Sequence, residues 1–266
     1  MALIASMFSG GGRLPLALYF KMEESIGFKF RQINKRLIES LITGEVYFSS
    51  PEKLNDPFDC QIDIKKSLNS AIGKVQGNPK TVLVSIQNKL DSIFSEVERD
   101  IKTFGVWSCS LELNNPLMWN HYGDEHKGVC LTYKLPDKFI DHTLGEVIGH
   151  HPVEYTTNPI TDWFIENSKI TGQPPPLDDF ITSLVVKLLI SKDVCWKYEK
   201  EGRVISKTQG LKEIGKSALQ QVCFGLRTPE SDKELINQIL NCHGYNVSIC
   251  KMVRNENDFG LEVKEL

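Results

Sequence analysis

Hydrophobic and polar positions change period several times along the chain, and those changes mark its elements. In RQINKRLIESLI (31–42), Ile33, Leu37, Ile38 and Leu41 recur at helical spacing, and Gly44 stands where a helix C-cap falls. Over 80–102, Val82, Ile86, Leu90, Ile93, Val97 and Ile101 form one apolar stripe with charges between them, which predicts an amphipathic helix. Further helices are expected over about 180–191, with Asp178 and Asp179 as N-caps, and over 229–241. Between them lie short runs of strand formers: ALYFK (17–21), EVYFSS (45–50), GVWSCS (105–110), GVCLTYKL (128–135), HHPVEYTT (150–157) and WKYEKEGRVIS (196–206). A helical turn is expected in NNPLMWNHYGDEH (114–126), begun at Asn114 or Asn115 with Pro116 near its first position.

Strands and helices intermix without regular βα alternation. Neither GxGxxG nor GxxxxGK[ST] occurs, which removes the doubly wound dinucleotide fold and the P-loop fold. An α+β fold remains, with a mixed, mainly antiparallel central sheet and flanking helices. We expect an N-terminal extension over 1–16, then one domain over 17–266 with a helical insertion at about 65–102.

Composition changes this picture little. At 266 residues, 41% hydrophobic and 24% charged, the chain can bury an ordinary core. A net charge of −3 provides no global basic field for nucleic acid. Seven cysteines without a CxxC pair argue against a disulfide framework and against a four-cysteine zinc site, so reduced thiols and a cytoplasmic location are expected. The N-terminus lacks a basic segment before its apolar start, and no apolar run is long enough to span a bilayer, so neither a secretory signal nor membrane attachment is expected.

Candidate chemistry concentrates in three runs. In NDPFD (55–59), Asn and Asp before Pro fix a turn; the bland reading is a rigid loop, the functional one a turn that holds Asn55 and Asp56 or Asp59 at a pocket. In MWNHYGDEHKG (118–128), Trp119, His121 and Tyr122 form either a buried hydrogen-bonding cluster or part of a ligand site. His121 and His126 are five apart, not at helical zinc spacing, and no metal is expected. In WKYEKEGR (196–203), a strand would point Glu199, Glu201 and Arg203 to one face, either as a solvated ladder or as a carboxylate pair held beside an Arg. If that face lines a buried cleft, Arg203→Ala should destabilise the protein and the near-isosteric Glu201→Gln should not. His150 and His151 are expected to be exposed.

Taken in order, ALYFK, GEVYFSSPEKLNDPFDC, WSCSLELNNPLMWNHYGDEHKGVCLTY and KDVCWKYEKEGRVI resemble the bacterial and phage family known as domain of unknown function 2971, over roughly 17–205. That family implies no activity. A more distant resemblance is to the ADP-ribosyltransferase fold, whose members carry a basic or aromatic residue on a first strand, Ser or Tyr on a second, and Glu-x-Glu on a later one. Here those positions fall to Tyr19 and Lys21, to Ser49, and to Glu199 and Glu201, although the first strand lacks the usual Arg or His. The resemblance implies an NAD-consuming transferase or glycohydrolase, a toxin or phage-defence effector, with NAD as substrate. Glu201 would stabilise an oxocarbenium-like transition state, Glu199 would orient the acceptor, and His121 and Tyr122 would position the nucleotide. The alternatives are a non-enzymatic nucleotide- or partner-binding module in phage defence or counter-defence, and a toxin that cuts RNA through His121 and the carboxylates. The expected site is therefore Glu201, Glu199 and His121 as catalytic groups, with Tyr19, Lys21, Ser49, Asn55, Asp56, Trp119, Tyr122 and Arg203 binding ligand.

Overall fold

A computed structural model describes residues 25–90, 94–135, 147–169 and 177–266. The run at 17–21, with Tyr19 and Lys21, lies outside them. The first described strand is β1 (Ser25–Arg31), a short alternating run between ALYFK and the helix that the hydrophobic pattern does not single out. It is followed by β2 (Glu45–Phe48), β3 (Gly105–Ser110), β4 (Val129–Leu135), β5 (Val147–Pro152), β6 (Glu154–Tyr155), β7 (Ser191–Lys192), β8 (Glu201–Ser206), β9 (Gly210–Glu213), β10 (Leu219–Phe224), β11 (Ser248–Arg254) and β12 (Leu261–Glu265). Eight of these build one sheet in the order β12-β11-β10-β4-β1-β3-β8-β5. All its pairings are antiparallel except β10 with β11. The fold is α+β, as the pattern predicts.

Two expected strands differ. Residues 45–48 leave the central sheet and pair with β9, and the chain after them touches β3 through a bridge between Ser49 and Val106. Residues 194–199 form a 3-10 turn capped by Asp193, and Lys200 adopts a left-handed backbone (φ 43°) before β8 begins. The aromatic Trp196 and Tyr198 favour a strand, but the Asp193 carboxylate holds the Cys195 amide (2.9 Å) and starts the turn instead.

The helices are α1 (Lys35–Thr43), α2 (Ile64–Lys74), α3 (Asn78–Leu90), α4 (Phe94–Ile101), α5 (Pro116–His121), α6 (Pro159–Asn167), α7 (Leu177–Ile190) and α8 (Glu230–Cys242). Caps explain several boundaries. Asn34 caps α1, Gly44 ends it at φ 75°, and Asn115 caps α5 with Pro116 behind it. Helices α2, α3 and α4 follow one another between residues 64 and 101. No described helix is long and apolar enough to cross a membrane.

Alternation along β8 sends Ile205 into a core shared with α2, α4, α6 and α7, and Val204 into a second core shared with α1 and α8 on the opposite face. A third core, around Phe30, Trp119, Cys130 and Met252, lies on the Ile205 face toward the β11 edge. The site sits between the first and third cores, on polar positions that neither covers.

Candidate functional site

The central sheet has a seam. β1 pairs with β4 along seven residues and β3 pairs with β8 along six, yet β1 and β3 meet in register only at Phe28 and Ser110. Beyond that pair the two strands part. Lys29 reaches across, its ammonium donating to the Ser108 carbonyl and lying 5.3 Å from the centre of the Trp107 ring. A cavity of about 80 Å³ opens at this seam. β1 supplies Phe28, Lys29 and Phe30 to its wall, and β3 supplies Ser108, Cys109 and Ser110. Met118 and Tyr122 come from α5 and its end, and Asn55, Lys192, Glu199 and Glu201 complete it.

Polar groups behind this wall form a continuous buried chain. Asp59 receives both terminal nitrogens of Arg203, at 3.0 and 2.5 Å. Arg203 also donates to Glu201 from Nε (2.8 Å) and Nη2 (3.2 Å) and to the Leu189 carbonyl (2.7 Å), so all five guanidinium N–H groups have partners. Lys192 bridges the two glutamates, at 2.9 Å from Glu201 and 2.5 Å from Glu199. The Tyr122 hydroxyl closes the chain on Glu199 (2.5 Å) and accepts from Asn55 (2.6 Å). Burying so many charges is costly unless each is paired, and in this chain each is.

Electrostatics follow from this chain. Burial alone would raise the Glu201 carboxyl, but Arg203 and then Lys192 outweigh it and hold the pKa at about 2, so Glu201 is a carboxylate at any ordinary pH. Burial would lower Lys192, but Glu201 and Glu199 raise it. Lys29 goes the other way. Burial, helped by Arg31, pulls it down to about 8, against the smaller opposing pull of Cys109 and the two glutamates. Tyr122 is raised by burial and by Glu199 and stays protonated. Counting Asp59, Glu199 and Glu201 against Lys192 and Arg203 leaves one net negative charge, and the proton of Lys29 cancels it.

Sequence-expected residues are distributed unevenly around this cleft. Asn55, Tyr122, Glu199 and Glu201 line it, and Arg203 stands behind Glu201. Glu199 arrives there from the 3-10 turn rather than by strand alternation, with its backbone carbonyl held by the Ser110 hydroxyl (2.8 Å). Asp56 turns inward to cap the Phe58 amide of its own loop (2.9 Å), and Asp59 takes the ion-pair role. Trp119 is wholly buried, donates to the Leu113 carbonyl and packs edge-on against Phe30, so it belongs to the third core. His121 is exposed at the rim, 6.0 Å from the Tyr198 ring, and no hydrogen bond among the described residues joins it to the carboxylates. Ser49 makes the bridge to Val106 outside the cleft. His150, expected to be exposed, is buried on β5 opposite Val204, where burial and His151 lower it to about 4.

Three groups of the site carry only faint signals in the sequence. Lys29 is the polar member of the alternating FKFR, a pattern that a longer first strand would have exposed. Lys192 follows the apolar run SLVVKLLIS, where a charge at the end of a buried helix signals a buried partner. Ser108 and Ser110 alternate with Trp107 and Cys109 on β3.

The motif around 118–128 also has a structural share. Asp124, Glu125 and His126 all take left-handed backbone, with φ of 51°, 52° and 70°. The turn is held by the Gly128 amide on the Gly123 carbonyl (2.8 Å) and by His126 stacked 6.5 Å from Trp119. A Cβ on Gly128 would come 2.2 Å from the Arg31 carbonyl oxygen, so the chain passes there only as glycine.

Neither the curated proteins nor the solved structures compared with this chain gives a match. Among the described residues, no group of three or more His, Cys, Asp or Glu is arranged to hold a metal. Residues 118–204, which carry most of α5, the left-handed turn, Lys192, both glutamates and Arg203, match the family described as "Protein of unknown function (DUF2971)", and the resemblance read from the motifs holds over that segment.

Proposed function

We propose that the seam cleft is the active site of an NAD-consuming enzyme, an ADP-ribosyltransferase or glycohydrolase. The observation that carries this reading is the order of groups across three neighbouring strands. Lys29 on β1, Ser108 and Ser110 on β3, and Glu201 on β8 line one cavity, with Glu199 two residues before Glu201. A basic first strand, a serine strand and Glu-x-Glu are what the ADP-ribosyltransferase resemblance asks for, and Lys29 takes the place first assigned to Lys21.

The chemistry suits these groups. The bond from the ribose anomeric carbon to the nicotinamide nitrogen breaks, its electron pair leaves with nicotinamide, and positive charge builds on the ribosyl ring. An ionised Glu201 at the wall stabilises that charge, and its rigid partners require no reorganisation at the moment of reaction. Glu199 orients the acceptor, water or a protein side chain, whose attack on the anomeric carbon completes the transfer with loss of its proton. The Tyr122 hydroxyl and Asn55 set the orientation of Glu199.

Incubating the chain with nicotinamide-labelled NAD, alone and with cell lysate, tests this reading. Nicotinamide release is expected and should be lost in Glu201→Gln, with folding of the variant checked by its melt at the assay temperature. Label on the adenylate half separates transfer to a protein acceptor from hydrolysis. A specific observation favours a second reading: both carboxylates are already paired, with Lys192 and with Arg203 or Tyr122. A nucleotide-binding module without turnover needs no free carboxylate. Saturable NAD binding without nicotinamide release would favour it.

A further inference from the structure

Four rings run along the outer side of the cleft. Tyr122, in the wall, neighbours His121 (6.5 Å between centroids); His121 neighbours Tyr198 (6.0 Å), and Tyr198 neighbours Trp196 (6.1 Å). The row then returns to the cleft, because the Lys192 ammonium lies 4.8 Å from the Trp196 ring centre and binds Glu199 and Glu201. Trp107, Trp119 and Trp163 are buried, whereas Trp196 stands part-exposed beside an exposed His121 and a part-exposed Tyr198. Core packing does not account for this placement. The three rim rings serve neither the first nor the second core, and Tyr198 only borders the third.

The cavity explains what such a row is for. Its volume of about 80 Å³ is well below the ~300–1,000 Å³ of pockets that enclose a whole small-molecule ligand. One end of a dinucleotide can enter; the other end must lie on the rim. Flat, part-exposed rings at the mouth offer that end π-faces on which a base can stack.

We propose that Trp196 and Tyr198, with His121, form a purine-stacking subsite that holds the adenosine half of the nucleotide outside the cleft. This inference rests on the reading of the cleft as a nucleotide site, but it makes its own demand: the base, not the sugar or phosphate, is what the rim recognises.

Isothermal calorimetry with AMP, and with ribose 5-phosphate as the base-free control, tests it. AMP should bind and ribose 5-phosphate should bind at least about tenfold more weakly. Trp196→Leu and Tyr198→Leu should each weaken AMP roughly tenfold, in line with measured losses on removing a stacked ring. Trp196→Phe should keep most of the affinity. Because Trp196 also covers Lys192, each variant's melt is compared with wild type, and Tyr198→Leu, at a second ring of the row, guards against a folding artefact. Equal binding of AMP and ribose 5-phosphate, or unchanged AMP affinity in both Leu variants, would overturn the proposal. Wild-type protein that binds AMP with base preference but releases no nicotinamide from NAD indicts the catalytic reading alone, and wild-type protein that releases nicotinamide without base preference indicts the rim.

Discussion

At the level of single residues, Arg203 and Glu201 carry the largest consequences. Arg203→Ala would strand Asp59 and Glu201 as buried carboxylates, and breaking a buried pair costs roughly 3–5 kcal/mol, so a large drop in chemical-denaturation midpoint is expected. On sequence alone, Glu201→Gln is nearly free. The geometry changes that expectation: a neutral Gln would leave Lys192 and Arg203 against too few carboxylates, and a carboxyl held at about 2 rather than 4.5 corresponds to roughly 3 kcal/mol. The linkage has a definite sign. A depressed carboxyl stabilises the fold fully above pH 4.5 and less as pH falls through 4.5 toward 2. His150, lowered from 6.5 to about 4, is a base kept neutral by burial, so the unfolded chain binds its proton first and stability falls as pH drops from 6.5 to 4. Melts in His150→Asn should flatten the upper part of this acid slope, to which the lowered His151 also contributes, and keep the lower part. Lys29 gives the opposite end of the scale: above about pH 8 its proton leaves and the cleft is net negative, which favours a cationic nicotinamide ring. Affinity for NAD, read by calorimetry, should rise as pH passes through about 8, and Lys29→Met should remove the step.

At the level of elements, much was legible. The helices at 35–43 and 230–242 and the strands at 105–110 and 129–135 follow apolar periodicity and caps closely. The rest is set by tertiary context. The aromatic run at 196–198 favours a strand, but a side-chain cap and a left-handed Lys200 make a turn. Nothing local in 25–31 marks a strand that opens from its neighbour. Nothing in MWNHYGDEHKG marks which rings are core and which are rim, because that depends on β1, β4 and the loop after β10, all distant in sequence. The seam makes an element-scale prediction. Amides of β1 and β3 that face each other beyond Phe28 and Ser110 should exchange with solvent far faster than those on the β4 and β8 sides, as hydrogen exchange followed by NMR would report. Equal protection on both sides would mean that the strands close in solution.

At the scale of the whole molecule, two sheet halves and three apolar cores leave one polar gap, and the buried ion pairs converge on it. Residues 55, 59, 122, 192, 199, 201 and 203 come from separate segments, so the cleft exists only once those segments have packed together. Their residue types alone tie the NDPFD, MWNHY and EKEGR runs together chemically; the fold adds Lys29 and Lys192, which balance their charge. The most direct test of the account is a crystal of the chain grown with NAD, using Glu201→Gln to slow turnover and checked as folded. The account predicts density for nicotinamide and its ribose in the seam between β1 and β3, against Lys29, Ser108 and Tyr122, with the adenine on Trp196 or Tyr198. Clear NAD density elsewhere on the molecule, with the seam empty, would contradict it.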